Sequence, residues 1–263
     1  MTGRQLARVS HVKSGETIWS GLYPGNSHTM NCLQPAVEAV ESSLDLGLAQ
    51  RRRTVWRTDG GAGSDALIGW LIDREYHVLM KGHSNRRAHA LGQKVRRWDE
   101  WAGSWIGEVD PPTHFKRPVQ FFVKKRLKNE VFHYSYYVST IKLSSKRAFI
   151  KAYDLRGGAE VEQFRQDKSG LHLAKRRKSQ FYGQYGLILL TDLAHNLLAN
   201  FRHKGLTDSP FASFGHKRMV RDLLQISGYL TFANDKLIRI DLDKSNENSE
   251  ALCICLKKYL LSE

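Results

Sequence analysis

The stretch TVWRTDGGAGSDALIGWLIDREYHVLMK, from Thr54 to Lys81, decides the fold class. Its first part, Thr54-Val55-Trp56-Arg57-Thr58, is β-branched and aromatic and ends in Asp59-Gly60-Gly61. Such a run reads as a strand over 54–58 whose tip carries a carboxylate into a loop. Ser64 then reads as the N-cap of a helix over 64–75, and YHVLMK at 76–81 as the next strand. Strand, helix and strand in succession specify an α/β sheet. Upstream, 4–10 and 16–23 read as two strands turned by Ser14-Gly15, and Pro24-Gly25-Asn26 breaks the chain. Leu33 to Leu46 follows as a helix with Val37, Val40 and Leu44 at helical spacing.

Beyond Lys81 the pattern changes. A basic helical stretch over 83–97 leads to Trp98, Trp101 and Trp105, and Pro111-Pro112 interrupts the chain. Strands are then expected at 118–125, 131–141 and 148–152. A long helix ends near His203, with His195 and Asn196 expected as core polar residues rather than ligands. A short basic helix (216–226) and a hairpin (229–233, 236–241) follow, and the last segment, 244–263, is expected to be a tail that is either poorly ordered or a readthrough.

Composition narrows the function classes. The 263 residues carry 41 Lys and Arg against 26 Asp and Glu, a formal charge of +15. That excess calls for a polyanionic partner, of which nucleic acid is the commonest. Three cysteines, two of them at Cys253 and Cys255, make neither a disulfide framework nor a zinc site, so a reducing, cytoplasmic setting is expected. The N-terminus has no signal-peptide core, and the most apolar run, Gly186 to Phe201, contains Asp192, His195, Asn196 and Asn200. No membrane partner is expected.

A second stretch, YDLRGGAEVEQFRQDKSGLHL from Tyr153 to Leu173, reads as a short acidic helix entered through Gly157-Gly158. Arg156 and Glu160 form an i,i+4 pair, which by itself is an ordinary surface ion pair. A carboxylate held by an Arg also stays ionised, as a metal ligand must. Asp59 alone is equally a turn-former. Paired with Glu160, it could hold hard cations for phosphoryl transfer. The basic run Lys175-Arg176-Arg177-Lys178 either faces solvent or touches a phosphate backbone. Arg51-Arg52-Arg53 lies at the opposite end of the Asp59 strand and is the weaker candidate for such a contact.

Together the two stretches resemble the DDE transposases of bacterial insertion sequences, in the group with a Tyr-Arg-Glu-Lys signature. Tyr153, Arg156 and Glu160 match its first three positions. The spacing places the Lys at 167, which is Asp167 here, and Lys168 comes one step late. Glu162 therefore stays a second candidate for the carboxylate. LYPGN at 22–26, CLQPAVEAVE at 32–41, RTDGG at 57–61 and LILLTDLAHNLLANF at 187–201 extend the resemblance from about residue 4 to 240.

The resemblance implies an RNase H-like mixed sheet with a β-rich insertion and a C-terminal helical region. Its divisions are a partial catalytic core at 1–105, the insertion at 106–152, the rest of the core at 153–243 and the tail at 244–263. The first catalytic Asp of the family, on the first strand of the sheet, has no counterpart here. The expectation is thus a transposase without its front end, cutting DNA poorly on its own, or a non-catalytic DNA-binding remnant. The implied chemistry uses two Mg²⁺ ions, with Mn²⁺ as a substitute, held by Asp59 and Glu160 as catalytic and metal-binding residues. Tyr153, Arg156, Lys168, Lys175, Arg176, Arg177 and Lys178 are the implied DNA-binding set. The implied partners are double-stranded DNA, as transposon ends and target, and a second copy of the chain in a synaptic complex. DNA-bound protein would be associated with the nucleoid.

Overall fold

The computed structural model describes residues 3–261 except Ala174, Arg176 and Arg177, and it leaves out the side chains of residues 155–163. Two compact units are formed, one by residues 1–7 and 21–158, the other by residues 8–20 and 159–263.

The chain opens with β1 (Arg4–Ser10) and β2 (Thr17–Pro24), which pair as a two-stranded sheet of their own and do not join the main sheet. In the first unit, α1 (Met30–Ser43) and a single turn, α2 (Leu48–Arg51), precede β3 (Val55–Thr58). A 3₁₀ turn at Gly60–Ala62 leads into α3 (Asp65–Asp73), then β4 (His77–Lys81) and α4 (Asn85–Gly92). Ser64 caps α3 as expected, its Oγ accepting from the Leu67 N–H at 3.3 Å. Ser84 caps α4 in the same way, from Arg87 at 3.2 Å. A meander of β5 (Asp99–Trp101), β6 (Ser104–Val109), β7 (Gln120–Lys128) and β8 (Val131–Ser139) follows.

These strands form one six-stranded mixed sheet in the order β3-β4-β8-β7-β6-β5. Only the β3–β4 pair is parallel. The β-rich segment expected as an insertion is thus hydrogen-bonded, through β8, directly onto β4. Its hairpins close through two-residue turns with positive φ at both positions, Ala102-Gly103 and Asn129-Glu130. That backbone follows the right-handed twist of the paired strands.

Both faces of the sheet are covered. Leu79, Ile106, Phe122 and Tyr137 pack on one side against Phe149, Ile150 and Tyr153 of α5 (Lys146–Gly170). Alternation turns Val78, Met80, Phe121, Val123 and Tyr136 to the other side. There α4 meets the sheet, with His89 edge-on to Tyr134.

One expected strand is corrected here: residues 148–152 are helical. Ser145 Oγ accepts from the Ala148 N–H at 3.1 Å and starts the helix. Phe149, Ile150 and Tyr153, at i, i+1 and i+4, then form a stripe that fits a helix on a sheet. The helix also runs unbroken through Gly157-Gly158, in place of the expected turn. Two glycines cost a helix about 1 kcal/mol each relative to alanine, less than a well-buried aromatic contributes.

In the second unit α6 (Phe181–Phe201) continues through a π turn, 202–206. Next come α7 (His216–Arg218) with a π turn at 219–223, the hairpin β9 (Gly228–Ala233) and β10 (Lys236–Leu242), and α8 (Ser249–Leu260). Leu198, Phe201, Leu206, Phe211, Phe214, Met219 and Leu223 form the core with Leu252 and Cys255 of α8. The expected poorly ordered tail is therefore a packed helix. Leu252, Cys255, Leu256 and Tyr259 recur at i, i+3, i+4 and i+7, and Tyr259 also donates to Asn200 Oδ1 at 3.0 Å. Among the described residues no helix is long and apolar enough to cross a membrane.

Candidate active site and nucleic-acid interface

Asp59 sits where the sequence reading placed it, at the end of β3, and is exposed. Its Oδ1 accepts from the Gly61 N–H at 2.9 Å and caps the 3₁₀ turn. The turn-forming role is thus real, and it engages one carboxylate oxygen.

Two contacts from α5 hold the strand end that carries Asp59. The Tyr153 hydroxyl donates to the Thr58 carbonyl at 3.2 Å, and Arg57 donates to the Ala152 carbonyl at 3.0 Å. Tyr153, expected at the DNA, is only 6% exposed and lies against Tyr137 and Phe149. A side chain buried among aromatics cannot reach a phosphate, so its place is that of a support beneath Asp59.

The side chains of Arg156, Glu160 and Glu162 lie outside the described residues, as do Arg176 and Arg177. Lys168, Lys175 and Lys178 are described and exposed. Position 167, where the signature spacing calls for Lys, points the other way. Successive helical residues are about 100° apart, so Asp167 faces inward while Lys168 faces out.

The inward-facing Asp167 belongs to a polar cluster in the second unit that the sequence reading missed. Arg8 binds Asp167 through Nη1 and Asp192 through Nη2, and its Nε donates to Ser20 Oγ at 3.2 Å. The Arg8 guanidinium also lies over the Phe164 ring, 5.1 Å from its centroid. His195 Nδ1 is 2.7 Å from Asp167 Oδ1, and its Nε2 donates to the Gly15 carbonyl at 2.9 Å. His216 Nδ1 lies 3.6 Å from the same oxygen, too far for a hydrogen bond. His195 and Asn196 are core polar residues, as expected, and Asn196 exchanges two 2.8 Å hydrogen bonds with the Thr17 backbone.

Burial pushes the Asp167 carboxyl up, but the hydrogen bond from His195, the nearness of His216 and the hydrogen bond from Arg8 outweigh it. The group is held well below the usual carboxylate range. Burial dominates at Asp192 and pushes it up, and burial pushes His216 down. The signal for this cluster was present in the sequence. Asp192 and His195 interrupt the most apolar helix of the chain, and a buried charge needs a partner.

The architecture has a counterpart among known families. The model of the transposase DDE domain matches residues 2–197. The chain belongs to the DDE transposase family. Its six-stranded mixed sheet with flanking helices is the RNase H-like core of that family. The family acts on DNA and works with divalent metal ions. The matched span ends within α6, so the rest of that helix and everything after it lie beyond the DDE match. No curated protein matches the chain.

Proposed function

We propose that the chain catalyses metal-dependent DNA strand cleavage and strand transfer in the transposition of an insertion sequence, with Asp59 and Glu160 as its metal-binding carboxylates. The observation that carries this reading is the placement of Asp59, exposed at a strand tip that α5 braces through Tyr153 and Arg57. Glu160 lies on the same helix, seven residues after Tyr153, and seven residues make close to two turns.

An exposed carboxylate with one oxygen engaged in a cap suits a hard cation that takes oxygen ligands, such as Mg²⁺ or its substitute Mn²⁺. Two such ions would supply the activated nucleophile and the stabilised leaving oxygen of phosphodiester chemistry. Arg156, four residues before Glu160, keeps that carboxylate ionised and oriented. Lys168, Lys175, Arg176, Arg177 and Lys178 grip the phosphate backbone, and a second copy completes the synaptic complex. The chemistry runs on charge stabilisation, so loss of either carboxylate should lower cleavage by orders of magnitude.

A second reading is DNA binding without chemistry. It is favoured by the formal charge of +15, which suits a polyanion whether or not the chain cuts it. Nicking of supercoiled plasmid with Mg²⁺ or Mn²⁺ separates the two. The catalytic reading requires slow nicking that chelation stops, whereas the binding reading requires salt-sensitive retention of duplex with no nicking.

A further inference from the structure

We propose that Asp167, His195 and His216 form a binding site for a divalent transition metal of the zinc class, separate from the carboxylates of the DNA chemistry. One donor atom from each lies within 4.8 Å of the others, and all three side chains are at most 2% exposed. They come from the end of α5, the middle of α6 and the first residue of α7, so one ion would clip three elements of the second unit together.

The surroundings are arranged as around metal ligands. His195 gives its Nε2 proton to the Gly15 carbonyl, which turns Nδ1 inward, and metal-bound imidazoles are commonly held by this outer hydrogen bond. Arg8 holds the far oxygen of Asp167 and leaves Oδ1 facing the two histidines, while Asp192 offsets the Arg8 charge. His216 Nδ1 is fully buried and, among the described residues, has no hydrogen-bond partner. A hydrogen-bonded core network explains His195 but leaves that nitrogen unaccounted for; a metal accounts for both. Gly170 permits the approach. A Cβ there would sit 2.7 Å from the Lys217 nitrogen and push His216 away.

Two imidazoles and one carboxylate select Zn²⁺, Co²⁺ or a similar ion over Mg²⁺. Donors about 2.1 Å from a tetrahedral ion stand about 3.4 Å apart, so the 2.7 Å contact between His195 and Asp167 must open. The proton between those two groups leaves as the ion enters, and binding weakens in acid.

The test uses the full chain, stripped with a chelator and titrated with Co²⁺ as the probe. One equivalent should produce the visible d–d bands of four-coordinate Co²⁺, Zn²⁺ should displace them, and Zn²⁺ should raise the melting temperature. His216→Gln should abolish the bands in a protein that still shows native circular dichroism. Should that variant not fold, X-ray absorption at the zinc edge of the unaltered chain decides, by requiring two imidazoles and no sulfur. Absence of the bands, their persistence in folded His216→Gln, or a thiolate band removed by Cys253→Ser would each overturn the proposal.

Discussion

The Tyr153 hydroxyl donates to the carbonyl oxygen of Thr58 at 3.2 Å, tying α5 to the residue that precedes Asp59. Removing that hydroxyl leaves the aromatic packing with Tyr137 and Phe149 in place. Tyr153→Phe should therefore cost about 0.5–1.5 kcal/mol in urea denaturation. DNA affinity should stay unchanged, and metal-dependent nicking should fall because the Asp59 strand end is less firmly held. A large loss of DNA affinity would return Tyr153 to the interface.

The capping and metal-binding roles of Asp59 can be separated. Asn caps about as well as Asp, so Asp59→Asn should keep the stability of the chain within a few tenths of a kcal/mol. Asp59→Ala, which loses the hydrogen bond from Gly61, should cost about 0.5–2 kcal/mol. Thermal melts of the two variants side by side measure the difference.

Glu41 gives the first unit a defined acid sensitivity. Burial raises its carboxyl, but the hydrogen bonds from Arg74, the nearby Tyr76 hydroxyl and the charges of Arg74 and Arg51 hold it below its ordinary value. A depressed carboxylate contributes stability above its unfolded pKa of about 4.3, and that stability is lost as pH falls through the lower folded value. Melting temperatures between pH 7 and pH 3 should drop more steeply for the unaltered chain than for Glu41→Gln. At neutral pH the variant should be less stable by about 1.5–3 kcal/mol.

The basic run after α5 should act through charge alone. Replacing Lys175, Arg176, Arg177 and Lys178 by Ala should weaken duplex binding equally for all sequences. It should also flatten the dependence of log affinity on log salt by about 0.9 for each phosphate that is no longer neutralised. An unchanged slope in fluorescence anisotropy titrations would place these residues away from DNA.

Helix α8 belongs to the folded second unit. Leu252 is 3% exposed within its core, so Leu252→Ala should cost about 2–5 kcal/mol in chemical denaturation. An unchanged denaturation midpoint would mean that α8 contributes nothing to that core.

What the sequence disclosed follows from where its signals are local. The strand at 54–58, the Ser64 cap, the following helix and strand, and Asp59 at the strand tip all rest on short-range chemistry, and the structure has them. Residues 148–152 look like a strand because Phe149 and Ile150 suit one, and it is the Ser145 cap just upstream that makes them helical. The tail looks poorly ordered because the family resemblance stops before it, yet Leu252 to Tyr259 carries the i, i+3, i+4, i+7 pattern of a packed helix. Pairing across long separations was not legible at all. Nothing near Arg8 announces Asp167 and Asp192, and the inward turn of Asp167 follows from one step along a helix whose phase is set by packing. Tyr153, singled out by its spacing, is buried against Tyr137 and Phe149 and supports the strand that ends before Asp59.

The measurement that tests the central claim most directly is plasmid nicking in Mg²⁺ or Mn²⁺ by the unaltered chain, Asp59→Asn and Glu160→Gln, with duplex binding measured on the same preparations. The account predicts metal-dependent nicking by the unaltered chain, at least a hundredfold loss in both variants, and retained DNA affinity throughout, because these carboxylates serve the chemistry and not the grip. Nicking that survives Asp59→Asn would contradict it, and so would an unaltered chain that binds duplex tightly and never cuts.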